Sequence, residues 1–485
     1  MRVCVIGTGY VGLVTGVCLA TIGHSVLCVD NNPAKVAMLQ SGQSPIYEPG
    51  LDSLMADAIA ANRLQFTTDL KSGVDHGEVL FIAVGTPALP SGESDTRYVE
   101  AVARGIGQHL NGGYKIIVNK STVPIGSGDW VRQIISDEVA TRQGQIAGFD
   151  IVSNPEFLRE GSAVYDTFNP DRIVLGSSSQ PALSVMQELY APIVKRHCPT
   201  DLMHPDSIGE AVPIVITDLT SAEMIKYAAN AFLATKISFI NEIANICDRV
   251  GGDVTQVAQG IGLDSRIGPK FLQAGIGWGG SCFPKDVAAL VHTAQDYGYN
   301  ATLLKGTIAT NQRQKLLVVE KLQQALKILK GKTIGLLGLT FKPHTDDMRD
   351  APSLVLIEQL TRLGAKVKAF DPIITDEAAP GLTPELTADL APVQIVTNVE
   401  ALAVGCDALV LVTDWPDFQQ LDYARLGVLM ETPLMIDGRN ALDRAVLAET
   451  GFTYVGIGRS DIHSIHRSPA TRSQTTSTTP SLVAV

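Results

Sequence analysis

Gly7-Thr8-Gly9-Tyr10-Val11-Gly12 follows a short apolar run at 2–6 and opens a stretch of helical pattern. Its three glycines allow a tight turn, close approach of a pyrophosphate to backbone N–H groups, and close helix–strand packing. Asp30, about twenty residues further on, ends the next apolar run, where a carboxylate can bond the ribose hydroxyls of an adenosine. With strand, helix and acid in register, the alternative of a ligand-free glycine turn falls away. A carboxylate there also repels a 2′-phosphate, which selects NAD over NADP. Residues 3–29 contain no Lys, Arg, Asp or Glu, a pattern that could pass for a signal peptide or membrane span. Gly7, Gly9, Gly12, Gly16, Gly23 and His24 interrupt it, and a nucleotide-binding βαβ unit accounts for all of them.

The formal net charge of −12 argues against nucleic-acid binding, which needs a basic face. Seven cysteines without a spacing pattern do not form a disulfide framework, and no cluster has metal-ligand spacing. They place the chain in a reducing, cytoplasmic compartment.

Short apolar runs alternate with amphipathic stretches through the first half, the pattern of a parallel sheet. Strands are expected at 2–6, 25–29, 79–84, 115–119, 150–153 and 173–175, with helices at 9–21, 51–61 and 127–141. From 218 to 250 the chain reads as one long helix without Pro or Gly, stopped by Gly251-Gly252. A further helix at 302–329 leads into a second α/β set, with strands near 333–337, 366–370, 408–412 and 434–436. The fold class is therefore α/β: two Rossmann-like domains joined by a long central helix, with a disordered C-terminal tail rich in Ser, Thr and Pro.

Residues 275–286, Gly-Ile-Gly-Trp-Gly-Gly-Ser-Cys-Phe-Pro-Lys-Asp, carry the chemistry. Four glycines let the backbone approach a ligand, and Pro284 suits the first turn of a helix. Cys282 then lies near that helix's positive end, an environment expected to lower a thiol's pKa and make it a nucleophile. A buried structural cysteine is the plainer alternative; the glycines, Lys285 and Asp286 weigh against it. Thr86 and Thr122 follow strand ends, and Glu156 and Glu160, in Asn154-Pro-Glu-Phe-Leu-Arg-Glu-Gly161, come to the same edge. Glu223, Lys226 and Asn230 share one face of the spine at i, i+3 and i+7, either functional or simply solvated. In the second set, Gly335-Leu-Leu-Gly338 is a degraded fingerprint and Phe370-Asp371-Pro372 mimics its acid, so this domain binds something other than a dinucleotide. Lys342, Arg349 and Arg439 near its strand ends suit phosphate oxygens. Nucleotide edge, cysteine turn and spine together describe an oxidoreductase that also uses a thiol; a simple hydroxyacid dehydrogenase without a thiol is the other enzyme reading, and a non-catalytic binding protein is disfavoured by the presence of Cys282, Lys226 and Asp286.

With these motifs in this order, the chain resembles the UDP-glucose/GDP-mannose dehydrogenase family from residue 1 to about 460. The resemblance implies an NAD-binding domain at 1–210, a central helical dimerisation region at 211–305, a UDP-binding domain at 306–465 and a tail at 466–485. It implies a soluble homodimer, without a metal, that oxidises the C6 alcohol of UDP-glucose to a carboxylate in two NAD-dependent steps. GDP-mannose and UDP-N-acetyl sugars are the family's other substrates; the Ser-Cys-Phe-Pro-Lys-Asp form looks like the UDP-glucose branch, with Trp278 where Tyr or Phe is expected. By resemblance, Cys282 attacks the aldehyde, Glu156 is the base for hydrolysis, Thr122, Asn230 and Asp286 position water, and Lys226 stabilises the oxyanion. Gly7, Gly9, Tyr10, Val11, Gly12, Asp30, Lys35, Thr86, Thr122, Glu160, Lys285 and Arg349 would contact NAD. Glu156, Phe157, Leu158, Arg159, Lys226, Asn230, Phe271, Gly279, Lys342 and Arg439 would line the sugar-nucleotide site, and Arg266 would reach it from the partner subunit.

Overall fold

The structure, a computed structural model, describes residues 1–142, 148–198, 202, 211–374 and 384–459. The tail expected at 466–485 lies outside the described residues.

Two sheets organise the chain. The first contains β1 (Arg2–Ile6), β2 (Ser25–Val29), β3 (Leu64–Thr67), β4 (Val79–Ile82), β5 (Lys115–Asn119), β6 (Phe149–Ser153), β7 (Ile173–Gly176) and β8 (Ile214–Thr217). Their order is β3-β2-β1-β4-β5-β6-β7-β8, so the chain reverses direction across the sheet between β1 and β4. Pairing is parallel except at β6–β7, where Ser153 opposes Gly176. Val79–Ile82 and Lys115–Asn119 are buried along their whole length, which explains their continuous rather than alternating apolar pattern. Strands β3 and β8 were not legible in the sequence: Leu-Gln-Phe-Thr and Ile-Val-Ile-Thr are too short to declare a period.

The second sheet contains β9 (Thr333–Leu337), β10 (Lys366–Phe370), β11 (Val393–Ile395), β12 (Ala408–Leu411), β13 (Leu434–Asp437) and β14 (Thr453–Gly456). Its order, β11-β10-β9-β12-β13-β14, repeats the order of the first six strands of the first sheet. In each sheet the crevice for a ligand lies beyond the carboxyl ends, where the strand order reverses.

The spine helix Leu219–Val250 has 32 residues, about 48 Å at 1.5 Å per residue. Asp218 caps its start by accepting from Ser221 N, and Gly251, with φ 81°, stops it in the left-handed conformation. Helix Thr302–Leu326 packs against it; this helix ends three residues before the expected position, where Lys327 takes φ 66°. Among the described residues no helix is long and apolar enough to cross a membrane.

Candidate active site

The glycine turn at the end of β1 has the shape a dinucleotide needs. Gly7, at φ 101°, packs so tightly that an added Cβ would meet Ala83 O at 2.6 Å, and Gly12 packs against the Gly7 carbonyl. At Gly9 a Cβ would meet nothing within 4 Å. Gly9 is the N-cap of helix Tyr10–Thr21 and lacks a side-chain cap, so open space adjoins unsatisfied helix N–H groups. These residues fit NAD. Val11 lies in the same first turn.

Asp30 is buried at the end of β2. Its Oδ2 accepts from Thr8 N at 3.0 Å, Thr8 Oγ1 at 2.6 Å and Lys35 Nζ at 3.1 Å, while Oδ1 accepts from Asn32 N at 3.0 Å. Burial opposes its ionisation, but these donors outweigh burial and hold the carboxyl below its usual value. Lys35 is thus brought to the acid by an ion pair. In the second sheet, Asp371 occupies the equivalent place and is spent internally, accepting from Leu339 N at 2.8 Å and Trp415 Nε1 at 3.4 Å.

Cys282 is the N-cap of helix Phe283–Asp296, with Pro284 in its first turn, as the sequence reading has it. Six of the seven cysteines are buried; Cys282 is the partly exposed one. The expected lowering of its pKa is overturned. Burial pushes the thiol up, Glu156 and Asp286 push it further, and Lys226 opposes them without prevailing. The four glycines also serve the packing of the turn, since protein atoms stand where a Cβ would lie. A Cβ on Gly275 would meet Gly438 O at 2.8 Å, one on Gly277 would meet Asn311 Oδ1 at 2.7 Å, one on Gly280 would meet the Phe341 ring at 2.7 Å, and Gly279 lies against the Asp350 carbonyl.

The turn is therefore clamped between the long helices and the second sheet. Asn241 Oδ1 accepts from Gly275 N, Asn311 Oδ1 from Trp278 N, and Gly438 O from Ile276 N, at 2.7–2.8 Å. Arg439 joins the same clamp: its guanidinium donates to Val412 O at 2.6 Å, Phe341 O at 3.0 Å and Gly277 O at 3.3 Å. Trp278 is buried, with Nε1 donating to Ser238 Oγ at 3.0 Å, a bond that Phe could not make.

All three spine residues, Glu223, Lys226 and Asn230, are buried, which removes the solvated-face alternative. Lys226 Nζ pairs with Glu156 Oε1 at 2.8 Å, and Asn230 Nδ2 donates to Asp286 Oδ2 at 2.6 Å. Lys285 Nζ reaches Asp286 Oδ1 at 2.5 Å. Glu223 points elsewhere, accepting from Gly126 N at 2.7 Å and Gly128 N at 2.8 Å at the start of helix Ser127–Ala140. Burial raises the Lys226 desolvation cost, yet Glu156 and Asp286 hold its pKa up; burial opposes Glu156 likewise, and Lys226 holds its pKa down. Thr122, Ser153, Pro155 and Lys226 line one small cavity here, and Thr86 Oγ1 donates to Thr122 O at 2.8 Å.

The remaining sugar-side residues divide. Phe157 lies beneath Lys226, with Nζ 5.6 Å from the ring centroid, and Leu158 N donates to Glu156 Oε2 at 2.6 Å. Phe271, at φ 66°, sits 6.4 Å from the Phe283 ring beside the thiol turn. Glu160 and Arg349 meet at 3.3 Å, and burial lowers the Lys342 pKa against the pull of Glu160. Arg159 turns to Asp166 at 2.5 Å on the surface. Arg266 is not brought to the site of its own chain; it pairs with Asp264 at 2.6 Å, almost fully exposed.

Sequence reasoning missed Glu48 and Lys120. Glu48 accepts from Tyr10 Oη and from Gly161 N, so it ties the nucleotide turn to the 154–161 loop. Lys120 is buried, with Nζ 3.1 Å from Asn154 Oδ1, and burial pushes its pKa down to about 8. Both look like ordinary loop charges in the sequence.

The first sheet, its glycine edge and its paired acid define an NAD-dependent oxidoreductase, and the clamped thiol narrows the class. Three domain models of one family match: the NAD binding domain at 1–194, the central domain at 220–313 and the UDP binding domain at 335–444. This chain belongs to the UDP-glucose/GDP-mannose dehydrogenase family. It is 48% identical over 458 residues to a UDP-glucose 6-dehydrogenase of Bacillus subtilis, covering 94% of this chain and 93% of that protein. A UDP-glucose 6-dehydrogenase of Pseudomonas aeruginosa is 46% identical, covering 95% of this chain and 98% of its own. Among solved structures, a UDP-glucose dehydrogenase of Pyrobaculum islandicum superposes with a TM-score of 0.82 at 35% identity, covering 94% and 98% of the two chains.

Proposed function

We propose that this enzyme oxidises UDP-glucose to UDP-glucuronate in two NAD-dependent steps, through a cysteine-bound intermediate. The observation that carries the reading is that partly exposed Cys282 feels the charges of the buried Lys226–Glu156 pair and of buried Asp286, which Asn230 holds. Bound NAD supplies the hydride acceptor for both oxidations. Lys226, a fixed buried cation, faces the negative charge that develops on the C6 oxygen. Cys282 adds to the aldehyde; oxidation of the thiohemiacetal leaves a thioester. Glu156, kept ionised by Lys226, takes a proton from the water that cleaves it, and Thr122, Asn230 and Asp286 orient that water.

The divisions proposed from the sequence are 1–210, 211–305 and 306–465; β8 of the first sheet lies just beyond the first boundary, and helix Thr302–Leu326 runs across the second. A homodimer is supported by Phe232, Phe239, Ile246 and Val250, exposed along one stripe of the spine helix. Arg266, exposed beside Leu263 and Ile267, would then serve the partner's site.

NADH formation from protein, NAD and UDP-glucose tests the reading, with GDP-mannose and UDP-N-acetyl sugars as competitors. Two NADH per sugar are expected from the wild type, and Cys282→Ser should lose turnover by orders of magnitude while still binding both ligands. One NADH per sugar would exclude the thiol mechanism, and faster turnover of another sugar would reassign the substrate.

A further inference from the structure

Ser281 neighbours the nucleophile and has no role above. Its Oγ lies 2.8 Å from Glu160 Oε1 and 3.5 Å from Cys282 Sγ. A serine hydroxyl has one hydrogen, and ionised Glu160 can only accept it. Against Cys282, Ser281 Oγ is then left as the acceptor and the thiol as the donor. The three groups make a directed chain, from Sγ–H to Oγ and from Oγ–H to Glu160.

The far end of that chain is built for a proton. Glu160 faces Asp347, and as two carboxylates they would leave Glu160 Oε2 buried without a partner. One hydrogen shared between them satisfies both groups and raises the proton affinity of Glu160 at the expense of Asp347. Arg349 holds the pair in place, donating to Asp347 Oδ1 at 2.8 Å and Glu160 Oε1 at 3.3 Å.

We propose that Ser281 relays the Cys282 thiol proton to Glu160, with Asp347 as the positioning residue beside Glu160. The proposal rests on the thiol reading above. In the step, the Sγ–H bond breaks as Sγ bonds to C6, and the C6–O π pair moves onto the oxygen facing Lys226. The thiol proton goes to Ser281 Oγ, whose own proton goes to Glu160 Oε1. The addition is redox-neutral. Glu156, nearer in charge, is a poor alternative acceptor because Lys226 and Leu158 N already engage it.

Burial and then Asp347 push Glu160 up to about 8 against Arg349, and burial holds Cys282 above its ordinary value. The charged groups facing this chain are Lys226 from the spine helix, Glu156 from the 154–161 loop, Asp286 from the helix after the turn, and Lys342, Asp347 and Arg349 from the second domain.

Alkylation of Cys282 by iodoacetamide, followed by peptide mass from about pH 6 to about pH 10 without NAD or sugar, tests it. In the wild type the rate should rise as Glu160 ionises, with a midpoint near 8. Ser281→Ala should be slower by about tenfold below that midpoint, equivalent to one unit of thiol pKa, and Ser281→Thr should recover the rate. Asp347→Asn removes the anion that raises Glu160, so the rise should begin at lower pH. Equal profiles for wild type and Ser281→Ala, or an Asp347→Asn profile displaced upward, would overturn the relay. Because no sugar is present, a wrong substrate assignment would leave these profiles unchanged and would show only in the NADH assay.

Discussion

Lys226 Nζ and Glu156 Oε1 lie 2.8 Å apart, with both side chains almost wholly removed from solvent. The pair joins the spine helix to the loop beyond β6, so it is a joint in the fold as well as part of the proposed site. Removing one partner leaves a buried charge uncompensated, and Lys226→Met should lower stability by about 3–5 kcal/mol. Glu156→Gln, which keeps the shape, should cost less stability but stall the enzyme after the second oxidation. Denaturant titration and intact-protein mass check the two outcomes. The sign of the pH dependence follows from the shifts: Glu156 lies below its ordinary 4.5 and Lys226 above its ordinary 10.5. The pair's contribution is therefore present between those ordinary values, is lost in acid as pH falls through the depressed carboxyl, and is lost in alkali as pH rises through the elevated ammonium.

Cofactor choice is written at Asp30. Its carboxylate, held ionised by Thr8, Asn32 and Lys35, repels a 2′-phosphate. Wild-type kcat/KM should favour NAD over NADP by at least about tenfold, and Asp30→Ser should narrow the ratio by weakening NAD while admitting NADP. A wild type equally efficient with both cofactors would contradict this.

Gly280 has φ 82° with the Phe341 ring 2.7 Å from the position of a Cβ. Gly280→Ala therefore brings both backbone strain and a clash inside the thiol turn, costing about 1–3 kcal/mol. The expected result is a lower Tm and slower Cys282 alkylation. Gly298→Ala, also at positive φ but with nothing within 4 Å, supplies the control for backbone strain alone.

The exposed stripe of the spine helix predicts a surface that self-associates. Phe232→Lys with Phe239→Glu places charge on that stripe, and sedimentation should show the assembly shift to monomer. Activity should fall in the same variant if Arg266 acts across the interface. A monomeric wild type with full activity would remove both ideas.

The sequence alone determined the first sheet's nucleotide edge, because Gly7, Gly9, Gly12 and Asp30 act through local backbone geometry within one βαβ unit. The spine helix was legible for the same reason: helical periodicity and the Gly251-Gly252 stop are short-range signals. The four-residue strands Leu64–Thr67 and Ile214–Thr217 carried too little pattern to read. Tertiary structure alone decided what each charge does. Glu223 and Lys226 sit one turn apart on the same helix face, yet one caps a neighbouring helix and the other pairs with Glu156, since the elements that meet them come from distant parts of the chain. Only packing could reveal that the thiol-turn glycines make room for Gly438, Asn311, Asp350 and Phe341. Only packing could reverse the expected thiol shift as well, because a helix N-terminus is a local feature whereas burial and the charge of Glu156 arrive with the fold.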